Sequence, residues 1–500
     1  MSDAQFTNID SSSMQSILRQ RLGIDARTLA AFRISLGLVL IVDLLLRTRN
    51  LRMFYTEDGV LPVSLLAEQS PMVARVSLHT LSGEMWFQIF LFLIALTFAL
   101  AVTIGYKTRI ATGISLILLL SLHARNPYVL SGGDALLQHL LFWSVFLPLG
   151  ERWSIDAHRR GAPREQIVTA ASAALLIQVL LVYGVNAVLK LRGERWMAGD
   201  AVTSIFALDQ FIVLLGPHLQ ELPVILEIAN WLWIGLLVAS PLLILLTGRL
   251  RIILVGAFGA MHFGMLLTMH LGIFPLVSII ALIPFLPSDV WNTFDRNPLL
   301  NRLKLAVIPF QTFLSGKLLL GSSENSFFGV EWSPVRLIQI IPAVLLVGVI
   351  LFNAIALGFA PVPAQADETL SGAYSDSRWT MFAPYPPTED RWYVAPSKTE
   401  STNQVDAFHR SEIQWEHPNN IAATYSSARE RKYMSNMRHD EDLRPSFARY
   451  LCERWNRNHE DELQTVSVYA LETPTQTASD SAQERVKLVE QSCGTSAMQT

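Results

Sequence analysis

Tyr183, Asn186 and Lys190 close an apolar run that begins near Glu165. Asn186 lies four residues before Lys190 and Tyr183 seven, so on a helix all three share one face. A lysine at the end of such a run either snorkels to the membrane interface or works inside a pocket. Free lysine is protonated at neutral pH, with a reference value of about 10.4. It becomes a proton acceptor only where burial or a nearby cation destabilises its ammonium form. Arg192 and Arg195 follow closely enough to supply the cation. Asn186 can hydrogen-bond a bound hydroxyl, and Tyr183 can stack or bond.

Other ionisable residues sit where they are costly. Arg33 and Asp43 share one apolar stretch, ten residues or about 15 Å apart on a helix, too far to pair directly. Each needs another partner, as a salt bridge or a cap. Asp134 follows Ser-Gly-Gly at a helix start and reads as a capping residue; His139 lies about one turn on. Asp134, His139 and Lys190 all fall at outer ends of predicted helices, so a cluster of the three is an expectation of topology. His262 and His270 have no carboxylate at a defined spacing, and no metal site is expected from them. Glycine-rich phosphate loops, HExxH and serine elbows do not occur.

The elements that must position these residues are membrane helices. The 500 residues are 51% hydrophobic and only 16% charged, with a mean hydropathy of +0.33. This is the composition of an all-α polytopic membrane protein. A net charge of -3 gives no electrostatic case for nucleic acid; membrane lipids are the expected partners. The polar first 28 residues lack an apolar core, which argues against a cleaved signal peptide. Nine spans are predicted, near 25–46, 85–105, 109–124, 135–150, 166–189, 228–247, 252–270, 272–287 and 336–359. The 201–216 stretch is short and interrupted by Asp209 and Gln210, so it reads as re-entrant or interfacial. Basic residues at 107–109, 151–164, 249–251 and 288–334 would all face inward, which puts the N-terminus inside and Lys190 and the tail outside. The 305–320 piece is expected on the surface.

Composition divides the chain into an N-terminal cytoplasmic tail at 1–24, a transmembrane domain at 25–360, a linker at 361–374, an external soluble subdomain at 375–473 and a loose end at 474–500. The subdomain reads as mixed α/β. YSSARERKYMSNM and LRPSFARYLCERWNRN are amphipathic helices and LQTVSVYAL alternates as a strand. An external location permits a Cys452–Cys493 disulfide, though their spacing does not demand one.

Several motifs occur in an order that resembles the HTTM (horizontally transferred transmembrane) family, related to the vitamin K-dependent gamma-carboxylases. They are FRISLGLVLIVDLL in the first span, GGDALLQHLLFWSVFLPLGERWSIDA ending at Ala157, YGVNAVLKLRGERWMAGDAV at 183–202, and WTMFAPYPP at 379–387. The resemblance implies that Lys190 is the base toward reduced vitamin K or another quinol. Asn186, Tyr183, Asp134, His139 and Arg33 would then be supporting or substrate-binding residues. It also implies a bacterial inner membrane and an exported peptide or protein as substrate. One departure is SGGD at 131–134, where the carboxylases carry a histidine-bearing segment. Two other classes stay open: a transporter built around the broken 201–216 helix, and a non-enzymatic maturation or export factor that binds through its tail.

Overall fold

The computed structural model describes residues 11–160, 164–296, 334–360, 380–475 and 483–494. The 305–320 piece and the 361–374 linker lie outside them. A short helix, Ser11–Leu22, precedes the apolar bundle. The bundle comprises α1 (Ala26–Thr48), α2 (Met85–Ile104), α3 (Thr108–Arg125), α4 (Gly132–Ser144), α5 (Ala170–Leu191), α6 (Pro223–Ala239), α7 (Gly248–Thr268), α8 (Phe274–Leu282) and α9 (Pro334–Ala356).

Local chemistry sets the helix ends. The Asp25 side chain accepts from the Arg27 backbone N–H and starts α1. Thr169 and Ser172 form a reciprocal capping box at α5. Gly105, at φ 73°, ends α2 in the left-handed conformation.

Four of these helices, α1, α2, α5 and α7, are long and apolar enough to cross a membrane. A fifth is reached if Phe274–Phe285 and Ser288–Arg296, bent by 90°, count as one span. The chain is thus a helical membrane protein that contacts lipid, but length and composition do not carry the predicted count to nine. Each predicted span does contain a helix. The shortfall comes from length and polarity: α4 has 13 residues, α6 has 17 and stops before Ser240 and Pro241, and α3 carries several hydroxyl side chains.

The 201–216 stretch is not one re-entrant helix. It forms a single turn and a half, Ala201–Phe206, then a 3-10 turn at Asp209–Phe211 and an extended bridge from Ile212 to Met269. The Asp390 carboxylate captures the backbone N–H groups of Asp209 (2.7 Å) and Gln210 (3.0 Å). Those donors are lost to any continuing helix.

Beyond the bundle come strands β1 (Glu389–Val394), β2 (Pro396–Thr399) and β3 (Gln404–Asp406), helices α10 (Ala428–His439) and α11 (Leu443–Asn456), and strands β4 (Leu463–Pro474) and β5 (Glu484–Ser492). All pairings are antiparallel. β1 and β2 run in succession along one edge of β4, β5 along the other, and β3 pairs with β2. The 474–500 end is therefore not wholly loose: β5 lies within it. Val486 and Leu488 give it enough apolar character to cover the sheet edge. The Cys452–Cys493 disulfide ties α11 to the residue after β5, with Cα atoms 5.5 Å apart.

Two apolar cores result. One fills the bundle around Phe32, Trp143, Leu175 and Phe258. The other joins the C-terminal ends of α1 and α3, the N-terminal half of α2 and the segments after α1 and α3 to the tail, mixing Phe54, Tyr55 and Val60 with Trp392, Tyr433 and Phe447. The tail is thus packed onto the bundle.

Candidate functional site

Lys190 stands in the last turn of α5 and is only 2% exposed. Its Nζ donates to the Met381 carbonyl at 3.0 Å and sits 3.5 Å from the centroid of the Trp196 ring. Trp196 follows in a one-turn helix, Glu194–Ala198, and its indole N–H donates to the Phe382 carbonyl at 3.0 Å. The Asn230 amide, on α6, donates to the Trp196 carbonyl at 3.0 Å and fixes that turn from the other side. Residues 380–384 thus strap the end of α5. Met381 and Phe382 both have positive φ, 37° and 64°, which turns successive carbonyls toward Lys190 and Trp196.

Gly193 lets the strap approach. A Cβ there would stand 2.3 Å from the Pro384 carbonyl oxygen, so neither backbone can stay in place. Gly193→Ala is expected to cost about 1–3 kcal/mol through overpacking, read as a lower unfolding temperature and faster proteolysis of the strap.

Tyr183 and Asn186 face the same way as Lys190, as their spacing predicts. The Tyr183 hydroxyl shares a 3.1 Å hydrogen bond with His262 Nε2 on α7, and the two rings stack with centroids 6.0 Å apart. His262 is fully buried, and its Nδ1 has no hydrogen-bond partner. Sequence reasoning weighed His262 only as a poor metal ligand. Its signal was a lone polar residue in an apolar helix, which does not reveal a partner 79 positions away.

Lys190 and Asn186 line a cavity of about 480 Å³, within the usual range for small-molecule sites. Its walls come from Trp196, Ile205, Phe206 and Phe211, from Trp233 on α6, and from Met261, Met265 and Met269 in and after α7. Among the described residues, three basic ones line it, Lys190, Arg431 and Lys432, and no acidic one does. A second space of only about 10 Å³ lies between Tyr183, Asn186 and His262.

Asp134 and His139 are not among the residues that line this cavity. Asp134 is instead the third helical residue of a capping box with Ser131. Its Oδ1 also accepts from Arg47 at 2.6 Å and from Arg429 at 2.9 Å. Asp43 pairs with Arg47 at 2.8 Å and with Arg429. Tyr55 and His123 complete this buried network through Arg47, at 2.7 and 3.1 Å. Two arginines thus balance two aspartates, and Asp134 is fully engaged. The His139 ring bonds the Ala135 carbonyl of its own helix at 2.6 Å.

Arg33 lies apart from all of these, donating to the Trp153 carbonyl and packed against Gly105. A Cβ at Gly105 would fall 1.7 Å from the guanidinium. In the same motif, Asp156 accepts from Lys107 N (2.9 Å) and from Thr108 N and Oγ1 (2.8 and 2.6 Å), capping α3.

Among the described residues, one group brings three metal-type ligand atoms within 4.8 Å of one another: Asp209, Asp390 and His417. Asp390 already accepts two backbone N–H groups, so the group acts as a clamp between the 209–211 turn and β1. Burial raises the Asp390 carboxyl from 3.8 to about 6; the two N–H bonds oppose that, and neighbouring Asp209 reinforces it. The folded state therefore holds this proton more tightly than the unfolded one. Its stabilisation is full below about pH 4 and is lost as pH rises through about 6, by up to about 3 kcal/mol. The unfolding temperature of the wild type should fall relative to Asp390→Asn across that window. A pH-independent difference contradicts the assignment.

No curated protein and no solved structure matches the chain. The HTTM domain model matches residues 22–291, a stretch that holds α1 to α8 together with Lys190, Trp196 and His262 and stops before the strap and the tail. By that match over more than half its length, the chain belongs to the HTTM domain family.

Proposed function

We propose that this is a membrane enzyme of the carboxylase/epoxidase type, with Lys190 as base toward a weakly acidic, apolar ligand of the reduced-quinone class. One observation carries the reading: a buried lysine amine on the wall of a largely apolar cavity that, among the described residues, no carboxylate lines. The burial of Lys190 supports a proton-accepting amine, since burial destabilises the ammonium form. Apolar walls and adaptable methionines suit a quinol body.

Lys190 Nζ takes the proton from the ligand hydroxyl. The Asn186 amide orients that oxygen, and the Tyr183–His262 pair holds the floor beneath it. The strap at 380–384 excludes water from the amine. A reduced quinone, when bound, supplies the oxygen-consuming chemistry. On this reading the chain lies in a bacterial inner membrane with its N-terminus in the cytoplasm and the cavity at the outer face. The Cys452–Cys493 bond supports that orientation, since disulfides persist in oxidising compartments.

The test is anaerobic reconstitution with vitamin K hydroquinone, followed by admission of oxygen. Epoxide formation is expected. No turnover by the folded protein, together with unchanged behaviour of cells carrying Lys190→Ala, sinks the reading. A non-enzymatic maturation or export role is the second reading, favoured by the broad packing of the tail on the bundle. Loss of function on deleting 375–473, with Lys190→Ala silent, selects it.

A further inference from the structure

Arg431 is the unexplained charge of this cavity. It projects from α10, outside the matched family residues, and lines the same space as Lys190. Its guanidinium lies 4.0 Å from the centroid of the Phe211 ring and donates to the His270 carbonyl at 3.0 Å. Phe211 in turn packs edge-on against Phe382 of the strap, centroids 5.0 Å apart. The Arg431 Nε is buried without a hydrogen-bond partner. Among the described residues no carboxylate lies within ion-pair distance of it. The contrast with Arg429, two residues earlier and paired with both Asp43 and Asp134, is direct.

A guanidinium in an apolar wall without a counter-ion is costly, and the cost is relieved by an oxyanion. Burial draws Arg431 down from 12.5 to about 10, which leaves it cationic at neutral pH. The cavity also reaches the side of the bundle. Ile225 and Ala260 line it, yet both are exposed on the apolar helices α6 and α7.

We infer that Arg431 anchors the carboxylate of a single-chain amphiphile, a fatty-acid-like lipid that enters between α6 and α7 and lays its chain along the methionines. The guanidinium offers two parallel N–H donors to the carboxylate, and the tail thereby completes the site that the family domain begins. The inference shares the cavity with the proposed Lys190 chemistry but names a second ligand, acidic where the quinol is neutral.

The test uses purified full-length protein in detergent and two probes, dansylated undecanoic acid and the matching dansylated undecanol. The wild type should bind the acid about tenfold or more tightly than the alcohol. Arg431→Gln should bring that ratio close to one while alcohol binding persists, and Arg431→Lys should keep part of it. A merely structural role for Arg431 would weaken both probes alike. Equal binding of acid and alcohol by the wild type overturns the inference. So does a preference that survives Arg431→Gln but vanishes in Lys190→Gln, which would put the oxyanion on the lysine. Displacement of the acid probe by a short glutamate-rich peptide contradicts the choice of a lipid. Binding is the readout throughout, so absence of quinol turnover leaves this result standing.

Discussion

Replacing Lys190 by alanine is expected to lower quinol-dependent turnover by about 10²- to 10⁴-fold, the usual contribution of a positioned proton acceptor. The same change frees the Met381 carbonyl of its donor, which adds about 1–3 kcal/mol of destabilisation. Activity and unfolding temperature must therefore be measured together. Lys190→Arg separates the two effects. A guanidinium can still donate to Met381 and lie over Trp196, but it stays protonated at any accessible pH. It should preserve most of the stability and restore none of the turnover. An active Lys190→Arg protein would show that the position supplies charge or packing and not a base.

The second large effect is predicted at Arg429. Its removal leaves Asp43 and Asp134 facing Arg47 alone, one uncompensated negative charge in a buried network. Breaking such a pair costs about 3–5 kcal/mol. Arg429→Ala should lower the unfolding temperature and release the tail to protease while the bundle stays helical. Adding Asp134→Asn, which removes the surplus charge, should recover a large part of the loss. If the double variant is no better than the single one, charge balance is not what holds α10 to the bundle.

Much of this architecture is legible in sequence because apolar periodicity and capping chemistry act locally. The helices at 26–48, 85–104 and 170–191 lie close to where hydropathy puts them. Tyr183, Asn186 and Lys190 share a face because helical geometry alone requires it. The helices over 428–439 and 443–456 and the strand over 463–474 also follow their patterns. What stays hidden depends on distant pairs. Asp134 looks like a plain helix cap until Arg47 and Arg429 reach it from 87 and 295 residues away. The break at Asp209 is visible, but its cause is a carboxylate 181 residues later. Arg431 reads as one more charge on an amphipathic helix, because sequence does not say which side of that helix meets the bundle. WTMFAPYPP stands out as a motif, yet nothing in its composition says that its carbonyls cover the lysine.

The central claim is that the Lys190 amine faces a largely apolar cavity and not bulk water. Competitive amine footprinting with quantitative mass spectrometry tests it most directly, using a membrane-permeant apolar isothiocyanate beside a sulfonated, water-soluble succinimidyl ester. Lys190 should react with the first, resist the second, and be protected from the first by vitamin K hydroquinone. Equal labelling by both reagents, unaffected by the quinol, would mean an interfacial lysine and contradict the account.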